Sequence, residues 1–421
     1  MQVVVVARGA PIVPFGVVAD ACPIGSVTLA EDRADTLRRC GLASPTTKRT
    51  DDDVIAGPAL VLADDVWITR RALAAFLKQA ALATGETKHP VRLQLPPSRL
   101  LELFLPLQDV ESDEGGAIYA VAFVPAGQQR RAGDVLDSAA PLTLPYRELL
   151  ATLPTPKTML GHPTGSTSWP LTSSIVLRVR HWLHVLRAGH LVPQVQLLEH
   201  GVRHPLQSAW RALLGLRLTA AAREAAWKRR FVFIGKRCVI HPSAIVEGSV
   251  IGDDVTIGPG AIVLQSVIGA GTRIEQRAHI SQSTIGRRNF ISLNSSLQAC
   301  VSFDDAEPSA NNLQACVVGA RAGLTSFARA LDTVLHDDGR PAGPLTVRDG
   351  ADFRHVGELP CGVCFGPDVY VGANVTVAAG RMIPAGVRLV TSTSSLLRRV
   401  PLDTAAGTYV VVDGGLQPFR S

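Results

Sequence analysis

Two histidines of this sequence lie where an imidazole could act as a general base. His336 is followed by Asp337 and Asp338, and neighbouring carboxylates raise the pKa of an imidazole and favour its taking up a proton. His279 directly precedes Ile280, whose place in an aliphatic pattern predicts an inward side chain, so the histidine should point outward. We predict His336, with Asp337, or His279 as the base. The competing interpretations are a polar loop and an exposed surface imidazole.

Two further clusters contain metal-binding residue types but lack a complete set of ligands. His181 and His184 share one face of a predicted helix, which suits a metal ion in principle, but only Glu199 lies near them as an acidic residue. Cys361 and Cys364 form a single close pair, and one pair without a second is weak support for zinc. We therefore predict a helix that docks through a polar rim, and two small cysteines buried in the fold.

A 17-residue repeat organises the middle of the chain. Aliphatic residues recur at steps of six, six and five, and small residues lie two positions before most of them. This period fits neither an α-helix nor an ordinary amphipathic strand, and it predicts a solenoid whose coils have three short faces. The period fails from Val301 to Leu359, and chemistry is expected beside that interruption. The repeating pairs are Ile234-Gly235, Ile251-Gly252, Ile268-Gly269 and Ile285-Gly286.

The repeat segments resemble the hexapeptide-repeat family. The segments that carry the resemblance are Ile240–Gly252, Val255–Val263 and Val369–Pro384, and the similarity covers roughly residues 231–390. The resemblance implies a left-handed parallel β-helix and a homotrimer that associates through the faces of this helix.

The same resemblance implies an activity. Hexapeptide-repeat acyltransferases use a histidine to take a proton from a substrate hydroxyl or amine as that group attacks acetyl-coenzyme A. His279 and His336 are the candidates here. The stretch Asn311–Cys316, where the family carries its own catalytic histidine, contains none. The family also includes nucleotidyltransferases and inert scaffolds, so the fold leaves the function open.

The first 200 residues predict an α/β domain. Buried strands alternate with helices, a pattern typical of a parallel sheet. A Pro-, Thr-, Ser- and Gly-rich stretch at Thr152–Ser174 predicts a loop. The predicted strands are Gln2–Ala7 and Ala59–Ala63, and the predicted helices are Ala30–Arg39, Arg70–Leu82 with Thr69 as N-cap, 175–190 and 206–229.

An α/β domain, a helical arm and a β-helix, in this order, resemble the bifunctional sugar-1-phosphate nucleotidyltransferases. The resemblance implies a Rossmann-like, nucleotidyltransferase-like domain in which Arg8, Gly9, Gly25 and Asp64 bind a substrate or nucleoside triphosphate. It also implies that Asp65 holds Mg²⁺. This sequence lacks the family's Gly-x-Gly-Thr-Arg core and the lysine expected near position 23.

Composition places a boundary near residue 230. All five tryptophans precede residue 231, and no lysine follows Lys236. We predict an α/β domain at 1–200, a helical connector at 201–230, the β-helix at 231–395 and a C-terminal tail at 396–421.

The remaining features predict a cytoplasmic protein. The seven scattered cysteines fit a reducing compartment, and neither a signal peptide nor a membrane span is expected. The net charge of +6 comes without a long basic run, so no nucleic-acid partner is expected, whereas arginines suit anionic small molecules.

The predicted function is a transferase in nucleotide-sugar or surface-polysaccharide metabolism. It would transfer an acyl or a nucleotidyl group and act on nucleotide sugars or acyl-coenzyme A, possible cofactors being Mg²⁺ with acetyl-coenzyme A or a nucleoside triphosphate. The alternative is a catalytically inactive scaffold or regulatory homologue, which the missing loop, lysine and histidine favour.

Overall fold

The structure, a computed structural model, describes residues 1–45, 48–87, 89–154, 166–203, 231–333, 345–392, 400–401 and 404–418. None of the helices in these ranges is long and apolar enough to cross a membrane. The helices are a short 3-10 helix at Ala19–Ala21, α1 (Leu29–Arg39), α2 (Arg70–Thr87), α3 (Arg99–Phe104), α4 (Ala132–Ser138) and α5 (Trp182–Arg203). The strands that precede the repeats are β1 (Gln2–Val6), β2 (Pro23–Ile24), β3 (Val27–Thr28), β4 (Val54–Ala56), β5 (Ala59–Ala63), β6 (Val66–Ile68), β7 (Val91–Leu95), β8 (Glu111–Asp113), β9 (Gly116–Val124), β10 (Gln129–Arg131), β11 (Ala140–Thr143), β12 (Leu149–Pro154), β13 (Ser166–Leu171) and β14 (Val176–Arg178).

The central sheet of the α/β unit is mixed, not parallel as predicted. Its strand order is β1-β5-β9-β7-β11, with β8 beside β9. The pairs β1–β5 and β7–β11 are parallel, but β9 runs antiparallel to both of its neighbours. Strand β9 follows β8 through a tight turn and forms an antiparallel pair with it. This hairpin reverses the chain direction without a crossover helix, so the next strand enters the sheet antiparallel.

Two local predictions in the α/β unit are wrong. The predicted loop at Thr152–Ser174 contains β13, which pairs antiparallel with β12. The predicted helix at 175–190 begins with β14, and α5 starts only at Trp182. The apolar run at Ile175–Leu177 is buried, and a short apolar run fits a buried strand as well as a helix.

Three stacked parallel sheets form the repeat region, as predicted, and they fit a left-handed β-helix. Face A contains Phe233–Ile234, Val250–Ile251, Val267–Ile268, Thr284–Ile285, Val301–Ser302, Val317–Val318, Cys364–Phe365 and Met382–Ile383. Face B contains Val239–Ile240, Thr256–Ile257, Arg273–Ile274, Phe290–Ile291, Glu307–Pro308, Gly323–Leu324, Tyr370–Val371 and Arg388–Leu389. Face C contains Ile245–Glu247, Ile262–Leu264, His279–Ser281, Ser296–Gln298, Leu313–Gln314, Arg329–Ala330 and Thr376–Val377.

Small side chains line the inside of the corner between faces C and A. The hydroxyl of Ser249 accepts a hydrogen bond from the amide of Ser266 at 3.1 Å, and the Ser266 hydroxyl accepts one from the amide of Ser283 at 3.1 Å. All three serines are fully buried. The buried amides of Ser266 and Ser283 therefore each have a serine hydroxyl of the preceding coil as acceptor. This explains why the sequence keeps a small polar residue at this position.

The interruption of the repeat is shorter than predicted. The strands Val301–Ser302 and Val317–Val318 both lie on face A, and the spacing between them is only one residue shorter than the 17-residue repeat. The chain leaves the coils after Arg329–Ala330 and returns to face A at Cys364–Phe365. Between these points, an antiparallel hairpin forms from Thr346–Asp349 and Asp352–His355. A second hairpin, Tyr409–Val412 with Gly415–Pro418, lies in the predicted C-terminal tail.

Helix α5 covers face A. Its Gly189 lies against Val301, and the Gly189 carbonyl accepts a hydrogen bond from the Thr284 hydroxyl at 3.0 Å. The α5 side chains and the inserted hairpin share one hydrophobic core with face A, which includes Leu186, Val317 and Val347 among others. The α/β unit and the β-helix are therefore packed together through α5 and not merely linked.

Polar side chains of His181, directly before α5, and of α5 itself secure this junction, as the predicted docking helix requires. His181 and His184 donate from Nε2 to the carbonyls of Arg348 and Pro106, each at 3.0 Å. The Nδ1 atom of each ring accepts backbone amides, which assigns both rings as neutral. Arg187 and His190 bind further backbone carbonyls, those of residues 359, 360 and 299.

We expect acid to destabilise this junction. Burial lowers the pKa of His190 to about 3, helped by Arg187, and burial lowers the pKa of His181 and His184 as well. Because these values lie below the unfolded value of about 6.5, the unfolded chain binds more protons, so stability is full above that pH and falls as the pH drops towards the folded values. His190 alone should account for about 3 kcal/mol between pH 7 and pH 4.

Urea unfolding at several pH values measures this effect. His190→Gln is the matched variant, because a glutamine amide can donate to the Ala299 carbonyl but does not titrate. Its stability should fall less steeply with acid than that of the wild type. Equal slopes for the two proteins would show that His190 does not carry the effect.

Candidate functional site

Asp64 lies at the carboxyl end of β5, next to the carboxyl end of the parallel strand β1. Its Oδ1 accepts hydrogen bonds from the backbone amides of Arg8 at 2.9 Å and Gly9 at 2.7 Å, and its Oδ2 accepts one from Lys48 at 2.7 Å. Burial raises the pKa of this carboxyl, but the three donors outweigh burial and leave the pKa below its usual value. The structure thus brings Arg8, Gly9 and Asp64 together, and they bind one another.

Lys48 links Asp64 to a second buried ion pair. Its Nζ also pairs with Asp20 at 2.7 Å, and Asp20 pairs with Arg33 at 2.6 Å. Arg33 donates in addition to the backbone carbonyl of Asp64 at 3.0 Å. The charges of Lys48 and Arg33 are therefore neutralised inside the domain.

Lys48 lies among the predicted site residues, but the sequence did not identify it as one of them. The lysine expected near position 23 is absent from the sequence. Instead, Arg49 forms a parallel bridge with Val6, and this places Lys48 at the carboxyl end of β1. No motif or spacing marks Lys48, because its position depends on the path of the chain between α1 and β4.

The side chain of Arg8 is also bound within the domain. Its Nε pairs with Asp51 at 2.7 Å, and its two terminal nitrogens donate hydrogen bonds to the carboxylate of Asp137 at 2.6 and 2.9 Å. Bidentate pairs of this kind are the stronger class of charge-assisted hydrogen bonds. A phosphate that approached Arg8 would have to compete with two aspartates.

Asp65, the predicted magnesium ligand, is buried and faces an arginine. Its Oδ2 accepts a hydrogen bond from Arg178 at 2.8 Å, and its Oδ1 has no hydrogen-bond partner in the described part of the chain. Burial raises the pKa of Asp65, although Arg178 partly offsets this. Within the described ranges, no three His, Cys, Asp or Glu side chains lie together as a metal site. The pairing of Asp65 with Arg178, and of Asp64 with Lys48, does not fit the Mg²⁺ that the resemblance implies.

Gly25 lies apart from these residues, in the turn between β2 and β3. Its φ of +76° is a backbone conformation that favours glycine, and a Cβ atom there would come within 2.6 Å of the Gln196 side chain on α5. This position therefore serves the close packing of the turn on α5, away from the amides of Arg8 and Gly9.

His279 projects from face C, as predicted. Its strand pairs with those of Ile262 and Ser296, and its side chain is exposed while Ile280 is buried. No hydrogen bond to its imidazole is found among the described residues. By contrast, the exposed ring of His241 is hydrogen-bonded to the Ser243 hydroxyl at 2.8 Å. An unengaged imidazole on an open face is available to accept a substrate proton.

His336 and Asp337 lie outside the described residues. Described parts of the insertion that carries them bind the α/β unit: Arg354 pairs with Asp109 at 2.8 Å, and Glu358 pairs with Arg99 at 2.6 Å. The described part of this interruption therefore ties the two halves of the chain together.

A cleft of about 500 Å³ opens between the two halves. Phe15 and Phe303 contact each other on its apolar wall, with ring centroids 4.5 Å apart. Arg287 on its rim donates to the Ser26 carbonyl at 3.0 Å and pairs with Glu31 at 3.2 Å. This volume lies in the range of small-molecule sites. Sequence reasoning did not find this cleft, because its walls come from loops far apart in the chain.

No known family model matches the sequence, and no curated protein matches it. Comparison of the fold finds solved structures that resemble parts of this chain, among them the following three. The acetyltransferase domain of PglB from Neisseria gonorrhoeae, in complex with acetyl coenzyme A, is 15% identical over 28% of this chain and 66% of that chain, with a TM-score of 0.17. Francisella novicida UDP-N-acetylglucosamine acyltransferase is 13% identical over 38% and 60%, with a TM-score of 0.18. A mutant of GDP-perosamine N-acetyltransferase from Caulobacter crescentus, in complex with CoA and GDP-perosamine, is 17% identical over 42% and 61%, with a TM-score of 0.14. The chain spans less than two thirds of each of these proteins.

Proposed function

We propose that the β-helix half transfers an acyl group from acyl-coenzyme A to a hydroxyl or amine of a nucleotide sugar, with His279 as general base. The observation that carries the proposal is the exposed, unengaged imidazole of His279 in the middle of face C. The repeat resemblance supports it, because the hexapeptide-repeat family includes acyltransferases that use a histidine in this way.

The reaction needs a base that takes up a proton and a nucleophile that receives the acyl group. In the proposed step, an imidazole nitrogen of His279 takes the proton as the hydroxyl or amine attacks the thioester carbonyl. The new ester or amide bond forms, the carbon–sulfur bond breaks, and the proton passes to the coenzyme A thiolate. His336 with Asp337 is the alternative base. Rates of acyl transfer for variants of the two histidines distinguish between them.

The site would be completed by a second copy of the chain. Face A is covered by α5, so faces B and C are left for contact between copies. In the homotrimer proposed from the repeat resemblance, His279 would lie in a groove between two neighbouring β-helices. Each subunit would then supply one wall of the acyl-coenzyme A site.

The α/β unit offers less support for nucleotidyl transfer. The amides, lysine and arginines at the carboxyl ends of β1 and β5 are bound to Asp20, Asp51, Asp64 and Asp137. A nucleoside triphosphate would have to displace these carboxylates. This internal pairing also favours the rival proposal, a catalytically inactive scaffold or regulatory homologue.

Release of coenzyme A tests the proposal. The full chain is incubated with acetyl-coenzyme A and a panel of nucleotide sugars and nucleotide amino sugars, and free coenzyme A and acetylated products are measured by mass spectrometry. Acetylation of at least one acceptor is expected. Absence of any product across the panel would favour the scaffold, and release of pyrophosphate from UTP and a sugar 1-phosphate would favour nucleotidyl transfer.

A further inference from the structure

The outward side chains of face C form a row that runs along the β-helix past His279. Ser296 lies beside His279 in the next coil, and Asn312 and Arg329 follow in the two coils after that. His279, Asn312 and Arg329 are exposed, and each is followed by a buried residue, so their side chains project from the face. Because neighbouring strands lie about 4.8 Å apart, three steps place Arg329 about 14 Å from His279 along the row.

Arg329 is a cation without a counter-charge. No described residue forms an ion pair or a side-chain hydrogen bond with its guanidinium. At the corner between faces A and B, by contrast, Arg237, Arg288 and Arg321 are each paired with an aspartate. Among the outward residues of the described face C strands, Glu247 in the first coil is the one carboxylate. An exposed guanidinium that no carboxylate neutralises favours an anionic ligand.

The side chains between the histidine and the arginine are polar. Ser296 offers a hydroxyl and Asn312 an amide, and neither side chain has a hydrogen-bond partner in the described part of the chain. Beside this row, the Gln314 amide donates to the Gln298 side-chain oxygen at 3.2 Å, and the Gln298 amide nitrogen adds a further donor. Groups that both donate and accept hydrogen bonds match the hydroxyls of a sugar. The row therefore offers a base, then a polar platform, then a cation.

We propose that Arg329 binds the diphosphate of the acceptor nucleotide sugar, while the sugar ring lies over Ser296 and Asn312 with its reacting group at His279. The inference rests on the acyl transfer proposed above, and it adds the direction in which the acceptor lies and the residue that selects a diphosphate. A guanidinium can bind two phosphate oxygens at once. Coenzyme A also carries a diphosphate, so the experiment compares the two sources of this group.

Equilibrium binding to the full chain tests the proposal without catalysis. UDP-, GDP- and dTDP-sugars and coenzyme A are titrated separately, by calorimetry, into the wild type and into Arg329→Met, which keeps an apolar stem but removes the charge. The Kd of the nucleotide sugar that binds the wild type most tightly should rise about 10- to 100-fold, the usual loss for a hydrogen bond to a charged group. The Kd of coenzyme A should not change. Arg329→Lys should recover only part of the affinity, because an ammonium group lacks the planar fork.

Arg130→Met is the matched control, because Arg130 is an exposed arginine of the α/β unit that no described carboxylate neutralises. It should leave each Kd within about twofold. The proposal is overturned if the wild type binds no nucleotide sugar, if Arg329→Met binds it as tightly as the wild type, or if only coenzyme A loses affinity. Loss of nucleotide-sugar binding in Arg329→Met, together with no acyl transfer by the wild type, would refute the proposed function but support this site.

Discussion

Replacing His279 by alanine lowers kcat/KM for acyl transfer by about 10²- to 10⁴-fold, the usual contribution of a general base. The loss should lie mainly in kcat, because the imidazole acts on the proton in the transition state and not on substrate binding. The measurement is the rate of coenzyme A release with the best acceptor of the panel, for the wild type and the variant.

His241→Ala is the matched control for this prediction. His241 is also an exposed imidazole of the β-helix, but its ring is hydrogen-bonded to Ser243 in a turn, so its loss should leave the rate within about twofold. His336→Ala forms the third arm. A large loss in this third variant, with full activity in His279→Ala, would transfer the role of base to His336.

Replacing Gly189 by alanine destabilises the full chain by about 1–3 kcal/mol, the usual cost of overpacking. A Cβ atom at Gly189 would lie 2.1 Å from Val301 Cγ2, and a β-branched valine has few other rotamers. This clash must outweigh the gain of up to about 1 kcal/mol that alanine normally gives over glycine in a helix. The free energy of unfolding from urea titration, followed by tryptophan fluorescence, measures the effect.

Two further variants isolate the contact between Gly189 and Val301. Gly85→Ala is the matched control, because Gly85 also lies in a helix but its added Cβ would meet no atom within 4 Å, so it should stabilise by up to about 1 kcal/mol. In Gly189→Ala combined with Val301→Ala, the clash is removed, and a coupling of about 0.5–3 kcal/mol is expected. Additive effects would show that α5 does not pack on face A in this way.

The β-helix could be predicted from the sequence because its contacts repeat. In the regular coils, each inward aliphatic residue lies on another aliphatic residue 17 positions later, as Ile251 and Ile268 show, so one short pattern contains the whole packing rule. The outward orientation of His279 followed from the same rule.

The α/β unit could be predicted less completely because its organisation depends on long-range pairing. The direction of β9 follows from a hairpin with β8 that no periodicity marks. The partners of Asp64 come from residues 8, 9 and 48, and local sequence around the aspartate does not specify them. The sequence could place an acidic pair after a buried strand, but it could not show that the pair is already bound.

The central claim is that this chain acts on an acyl thioester through its β-helix, and ligand-dependent thermal unfolding tests it most directly. The full chain is heated with acetyl-coenzyme A, and separately with UTP and dTTP, each with Mg²⁺. Because a ligand of the native state raises stability by about 2.7 kcal/mol at 100 times its Kd, acetyl-coenzyme A should raise the melting temperature while the nucleotides leave it unchanged. A shift with UTP or dTTP alone, or no shift with any of the three, would contradict the account.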